Sequence, residues 1–341
     1  MERDAPAGIA RLTINNPERR NSYDAAMRGQ LAAFLDELAA DDEIKVVLLR
    51  GAGGVFSSGA DMRNAYAWYG SPNGAAVTSP NGAAATSASG TAASGGGDTG
   101  ASSGGLGDPH AATGQDPGGT GARVRGPRPS QRRRLAVDRE TFGFYHDFLG
   151  YPKATVAEVR GCALGGGFEL ALMADIAVVA RGTLVGMPAT RFLGPALGSL
   201  HLFFHRLGPV LARRLLLTGD CVPASSLEHL GIFTEVTEDA AVASRAQWYA
   251  EKVARMPADG IVIAKEAFRL VEQQQGYQGE EVTSYLIHAF GTNLQFDEGE
   301  FNFVKARAEH GVKRAFQLGD EHFQVPGPGA GPGDDPVPGG R

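Results

Sequence analysis

Three consecutive glycines followed two residues later by a carboxylate, Gly165-Gly166-Gly167-Phe168-Glu169, are the residues here best suited to acid–base chemistry. At a helix start the first N–H groups have no intrahelical acceptor, and glycine leaves them unshielded. The positive end of the helix dipole then favours a negative charge developing nearby. Glu169 would lie in the first turn, where the same dipole stabilises a carboxylate. Alone, it could equally be a helix-start charge or half of a buried ion pair. A second candidate is Phe56-Ser57-Ser58-Gly59-Ala60-Asp61-Met62, directly after an apolar run. Small residues there let backbone N–H groups approach a ligand closely, although alone the segment reads as a tight turn.

These residues need a scaffold, and the pattern supplies one. Ile9–Ile14 alternates apolar and polar as a strand and stops at Asn16-Pro17. Ser22 precedes a helical pattern of Met27, Leu31, Phe34, Leu35 and Leu38. The apolar run 46–49 is of strand length and predicts a strand covered on both faces. Further strands are expected over 155–159 and 176–179, with a helix over 168–174 between them. Helical patterns then cover 202–207, 211–217, 243–255, 261–275, 285–290 and 301–316. Strands alternate with helices early and helices dominate late, which predicts an α/β core with a helical C-terminal region.

Between about 70 and 121 the chain is mostly Gly, Ala, Ser, Thr, Asn and Pro with almost no large apolar residue, and Ser-Pro-Asn-Gly-Ala-Ala occurs at both 71–76 and 79–84. Such a segment cannot bury enough surface to offset its ordering entropy, so it is expected to be disordered. Arg123, Arg125, Arg128 and Arg132-Arg133-Arg134 close it, ahead of a helix through Phe142, Tyr145 and Phe148. The expected division is a discontinuous core, 1–69 with 136–255, and an insertion at 70–135. A helical region at 256–325 and a disordered Pro/Gly-rich tail at 326–341 follow.

A net charge of −6 gives no general attraction to nucleic acid or to an anionic membrane. The arginine cluster lacks the interleaved aromatics of a nucleic-acid surface. It reads as a solvated charge run or as a set of phosphate partners. Two cysteines, Cys162 and Cys221, make no disulfide framework and fit a reducing cytoplasm. No secretory leader and no membrane span is expected. His201 and His205 have i, i+4 spacing, but no third ligand is evident, so packing or surface roles are expected and no metal.

Taken together, four segments resemble the crotonase, or enoyl-CoA hydratase/isomerase, superfamily. They are Ile14 to Asn21, Gly51 to Met62, Val159 to Asp175, and Leu217-Thr218-Gly219-Asp220 with Leu230-Gly231-Ile232-Phe233. The resemblance implies a spiral of ββα units with a helical C-terminal trimerisation region, assembled as a homotrimer or hexamer. It implies an acyl-CoA thioester as substrate, with coenzyme A part of that substrate and no separate cofactor. The thioester oxygen would sit between the N–H groups of Ala60 and Gly166, and Glu169 would act as acid/base. Arg19, Arg20, Ser58, Asp61, Met62 and Gly165 would contact substrate or coenzyme A. Tyr145, His146 and Asp147 fall where the family shapes its acyl pocket, or else on a solvated helix face.

The chain departs from the hydratase pattern at one point. The family's second glutamate follows a proline, and here that stretch is Met187-Pro188-Ala189-Thr190. Neither Ala189 nor Thr190 is a general acid or base at neutral pH. Hydratase-like chemistry through Glu169 is expected, with hydrolase, isomerase or inactive acyl-CoA-binding protein as the alternatives. The late apolar residues Phe290, Leu294, Phe296, Phe301, Phe303 and Phe316 are expected to supply the subunit interface.

Overall fold

The computed structural model of the protein describes residues 1–64, 130–194, 199–276, 280–291, 294 and 296–325. The low-complexity segment 70–129 and the tail 326–341 lie outside the described residues. In chain order the strands are β1 (Glu2–Asp4), β2 (Ile9–Ile14), β3 (Val46–Gly51), β4 (Ala154–Val159) and β5 (Cys162–Leu164). They continue as β6 (Ile176–Ala180), β7 (Leu184–Gly186), β8 (Cys221–Pro223) and β9 (Glu235–Thr237). Among the described residues they form a larger sheet of order β1-β2-β3-β4-β6-β9 and a smaller one of order β5-β7-β8. The larger sheet is parallel except for its β1–β2 edge.

Helices cover both faces of the larger sheet. Among the described residues the helices are α1 (Ala25–Ala39), α2 (Gln131–Leu149), α3 (Gly166–Met173), α4 (Thr190–Leu193), α5 (Leu200–Thr218), α6 (Asp239–Ala254), α7 (Ala258–Gln274), α8 (Glu280–Gly291) and α9 (Phe303–Phe323). Strand β3 shows why its run is continuously apolar. Val47 and Leu49 join the core beneath α1, α2, α3 and α5, while Val46 and Leu48 pack with Val242, Ala246 and Ala250 of α6. Alternate side chains thus meet different helices, and neither face tolerates a polar residue.

The expected spiral follows from how successive units divide their strands. β4 enters the larger sheet, β5 the smaller, and α3 follows; β6, β7 and α4 repeat that order. The bridge between Ser57 and Ala163 continues the second layer to the segment after β3. A strand-changing turn therefore precedes each helix, and the candidate glycine segments occupy such turns.

Five sequence expectations change. Helix α2 begins at Gln131, with the Ser130 hydroxyl accepting the Arg133 N–H at 3.3 Å, so the core resumes at 130 rather than 136. Arg134, expected in a solvated run, is buried and donates to the Ala289 carbonyl at 3.1 Å. The cap of α1 is Asp24, which accepts the Met27 N–H at 2.9 Å, while Ser22 is buried upstream. Phe303 does not face a neighbouring subunit. It is buried with Phe192 (ring centroids 4.7 Å) and Phe316 (5.0 Å), folding α9 onto α4 of its own chain. The separate patterns at 202–207 and 211–217 form one helix, α5, broken where Gly208 takes φ 70° ahead of Pro209.

Candidate active site

The two glycine segments meet. Gly59 has φ 82°, and a Cβ on it would stand 2.6 Å from the Leu164 carbonyl oxygen and 2.8 Å from the Gly166 nitrogen. Only a residue without a side chain lets the Ser57–Asp61 segment lie this close to the start of α3. Gly167 serves the same contact from the other side, because a Cβ there would lie 2.9 Å from that of Ser57. Asn21 anchors the rim: fully buried, it donates to the carbonyls of Ala52 at 2.8 Å and Val55 at 2.5 Å, and its carbonyl accepts the Ser57 hydroxyl at 2.8 Å.

The backbone bonding singles out two N–H groups. Tyr23 donates to the Gly59 carbonyl and Asp61 donates to the Tyr23 carbonyl, each at 3.0 Å. This parallel bridge uses the neighbours of Ala60 and turns the Ala60 N–H to the other side of the chain. Gly166 is the first residue of α3, so its N–H has no acceptor in the helix. Among the described residues neither group donates to a backbone acceptor. Glu169 follows in the same first turn, buried, with its N–H on the Gly165 carbonyl at 3.1 Å. The structure thus brings Ala60, Gly165, Gly166 and Glu169 together.

The far end of α3 is fixed by Asp175. It accepts from the backbone N–H and hydroxyl of Thr155 at 2.8 and 2.9 Å, and pairs with Lys265 of α7 at 2.6 Å. Helix α3 is therefore tied to β4 and α7 as well as to the turn before it.

Arg19, Arg20, Ser58, Asp61 and Met62 gather along one rim. The Ser58 N–H donates to the Arg20 carbonyl at 2.9 Å and the Ser58 hydroxyl to the Arg19 carbonyl at 3.3 Å. Asp61 is buried, paired with Arg19 at 3.8 Å and held by the guanidinium of Arg63. Burial nevertheless raises the Asp61 carboxyl above the ordinary range, outweighing Arg19. Arg307 reaches in from α9 and donates to the Met62 carbonyl at 2.7 Å and to that of Arg63 at 3.2 Å. Arg63 and Arg307 were not singled out in the sequence. Arg63 adjoins a motif, but nothing local marks Arg307, more than two hundred residues away.

A polar pair adjoins these groups. The hydroxyls of Tyr23 and Tyr145 are 2.6 Å apart, both residues are buried, and a Cβ on Gly166 would collide with both hydroxyls. Burial raises the pKa of each phenol, and the charge of Glu169 adds to it. Of the three residues noted on α2, only Tyr145 joins the site. His146 and Asp147 line a separate cavity with Leu35, Tyr151 and Arg269. Tyr23 was not singled out in the sequence, where nothing local marks it.

The stretch expected to carry the family's second glutamate starts beside Gly165: the Gly165 N–H donates to the Gly186 carbonyl at 3.0 Å, and Met187 is buried next to it. Ala189 packs against the core, and the Thr190 hydroxyl donates to the Met187 carbonyl at 3.0 Å. His201 and His205 stack with ring centroids 6.3 Å apart, and among the described residues no cluster of potential ligands could hold a metal.

A family model described as enoyl-CoA hydratase/isomerase matches residues 4–85 and 128–311. The chain is similar to the 1,2-epoxyphenylacetyl-CoA isomerase of Escherichia coli, 28% identical over 302 residues that span 88% of this chain and 94% of that protein. It is also similar to a Mycobacterium tuberculosis protein named for enoyl-CoA hydratase, EchA13, 26% identical over 91% of this chain and 88% of that one. In fold it resembles an enoyl-CoA hydratase/isomerase from Xanthobacter autotrophicus Py2, with TM-score 0.67, 23% identity, and 94% and 96% of the two chains covered. An enoyl-CoA hydratase from Mycobacterium smegmatis gives TM-score 0.66 at 22% identity, with 92% and 91% covered. With the family match spanning most of its length, the chain belongs to the enoyl-CoA hydratase/isomerase family.

Proposed function

We propose that the protein processes acyl-CoA thioesters, adding or removing water across an α,β-double bond through an enolate. The observation that carries this reading is the meeting of Ala60, Gly166 and Glu169, held by a glycine contact that admits no side chain. Two N–H donors would receive the thioester oxygen as negative charge develops on it, and Glu169 would take a proton from water. Removing one such donor typically costs about 3 kcal/mol of transition-state stabilisation. Coenzyme A enters as part of the substrate, along the rim of Arg19, Arg20, Ser58, Asp61 and Met62, and no separate cofactor is invoked.

Incubation with a panel of acyl-CoA thioesters, followed by mass spectrometry, tests this reading. A gain of water by an enoyl-CoA is expected, with Glu169→Gln slowed about 10²–10⁴-fold. Full activity in Glu169→Gln would remove the acid/base role. A second reading is hydrolysis of the thioester, favoured by Ala189 and Thr190 standing where a second carboxylate would be, or isomerisation. The similarity to an enzyme named 1,2-epoxyphenylacetyl-CoA isomerase adds weight to the latter. Product mass separates these outcomes, since isomerisation leaves it unchanged.

The exposed apolar residues Ile263 and Phe268 of α7 and Phe290 of α8 support a homotrimer or hexamer. Sedimentation at micromolar concentration would give three or six times the chain mass. The two free cysteines fit a cytoplasmic location, and among the described residues no helix is long and apolar enough to cross a membrane.

A further inference from the structure

Hydration through a single carboxylate asks Glu169 to serve both the water and the α-carbon. Glu169 can take a proton from water, but something must deliver a proton to the α-carbon, and neither Ala189 nor Thr190 can. The two phenols stand beside that gap. Tyr23 and Tyr145 share a 2.6 Å hydrogen bond and lie against Gly166, whose helix turn also holds Glu169. Each phenol has one proton, and a bond between the two uses only one of them. Among the described residues the pair has no other hydrogen bond, so one O–H remains to be offered.

We propose that the Tyr23–Tyr145 hydroxyl pair is the second proton-transfer group of this site, standing in for the missing carboxylate. The proposal rests on the hydratase-like reading above. As water adds, its oxygen bonds to the β-carbon, one proton passes to Glu169, and the π pair moves to give the enolate. The enolate then forms a C–H bond at the α-carbon with the Tyr23 proton. Tyr23 recovers a proton from Tyr145, and Tyr145 from the Glu169 acid. The sum is one water across the double bond, with both phenols neutral and Glu169 again a carboxylate.

Two observations support this relay. Tyr23 bridges to Ala60, which puts it next to one oxyanion donor. Beyond burial, the charge of Glu169 raises the pKa of both phenols, so the carboxylate is coupled to the pair that would draw its proton. Because both phenols are held neutral, a free phenolate would be costly, and the three transfers must be coupled.

Tyr23→Phe, Tyr145→Phe and the double variant test the proposal, because each removes an oxygen and keeps the ring. The readouts are kcat and KM for crotonyl-CoA hydration, exchange of the α-hydrogens of butyryl-CoA with D2O, and the thermal midpoint. Each single variant is expected to lose at least about tenfold in kcat and in exchange. KM should stay within about twofold, and the double variant should lose no more than the worse single one, since a relay fails as a unit. Should one variant fail to fold, the other decides. Unchanged kcat and exchange, a change confined to KM, or a multiplicative loss in the double variant would overturn the relay. If Glu169→Gln is inactive in that case, the hydratase-like reading survives. If the unmodified protein neither hydrates nor exchanges any thioester of the panel, that reading falls and takes the relay with it.

Discussion

Placing a methyl group at Gly59 probes the closest contact in the site. The substitution Gly59→Ala sets a Cβ 2.6 Å from the Leu164 carbonyl oxygen and 2.8 Å from the Gly166 nitrogen, both backbone atoms that cannot rotate away. At φ 82° an L-residue also carries a conformational cost, about 1–2 kcal/mol. Overpacking adds typically 1–3 kcal/mol, so the variant should lose roughly 2–5 kcal/mol of stability. For a domain of this size that corresponds to roughly 5–15 °C in thermal midpoint. The larger effect falls on the reaction. Relieving the clash moves Ala60 away from Gly166 and spoils the shared oxyanion position, which costs about 10²–10³-fold in kcat. Gly29→Ala is the control: Gly29 is an exposed interior residue of α1 with nothing within 4 Å of its would-be Cβ. That change should gain roughly 1 kcal/mol of stability and leave kcat alone. Scanning calorimetry with steady-state kinetics on the best thioester gives both numbers. A Gly59→Ala variant within twofold of the parent kcat would refute the reasoning.

Three further outcomes are expected. Lys265→Met leaves Asp175 without its cation; because Asp175 is about a quarter exposed, the loss should be about 2–3 kcal/mol, below the fully buried range, and is read by denaturant titration. Burial raises the Cys162 thiol and pushes Cys221 up to about 11, so the thiolate of Cys221 is depleted at pH 8. A thiol reagent should modify Cys221 at least about a hundredfold more slowly in the folded than in the unfolded protein, and faster as pH rises toward that value. Ala189→Glu returns a carboxyl to the stretch that starts beside Gly165 and should raise crotonyl-CoA hydration, most visibly in a Tyr145→Phe background; no gain in either background would mean that position 189 does not face the substrate.

Much of the scaffold was legible because its signals are local. The run Val46–Leu49 is apolar throughout since helices cover both faces, and Gly165 to Glu169 announce a helix start by composition alone. The smaller sheet was not legible. β5, β7 and β8 are three residues each, too short for a period to register. The site divides in the same way. Ala60, Gly166 and Glu169 sit inside motifs, whereas Tyr23 meets Tyr145 across more than a hundred residues, and Arg307 meets Met62 across more than two hundred. Such pairings are products of tertiary structure, and Tyr23 and Arg307 carry no local mark. Phe303 failed for a related reason. An aromatic stripe on a late helix serves its own chain's core as readily as a neighbour's, and α4 was too short to be recognised as the surface it covers.

Leu48 of β3 pairs in register with Val156 of β4, more than a hundred residues further along the chain. Chain closure over that span is an entropic matter, and it bears on the order of assembly. Residues 65–129 lengthen the unfolded loop about two and a half times, which by the logarithmic rule costs only about 1 kcal/mol. Equilibrium stability therefore barely registers the extra chain, but the rate can. The register of β4 with β6, and the α3 segment between them, closes over short loops and can form first. The β2–β3 half then has to find that nucleus across the long span, and only on its arrival does Ala60 come beside Gly166. Catalytic competence would thus be gained in the last, slowest phase of refolding. A chain with residues 65–129 replaced by a short linker should complete that phase roughly fourfold faster. Equal rates for the two chains would place this closure after the rate-limiting step.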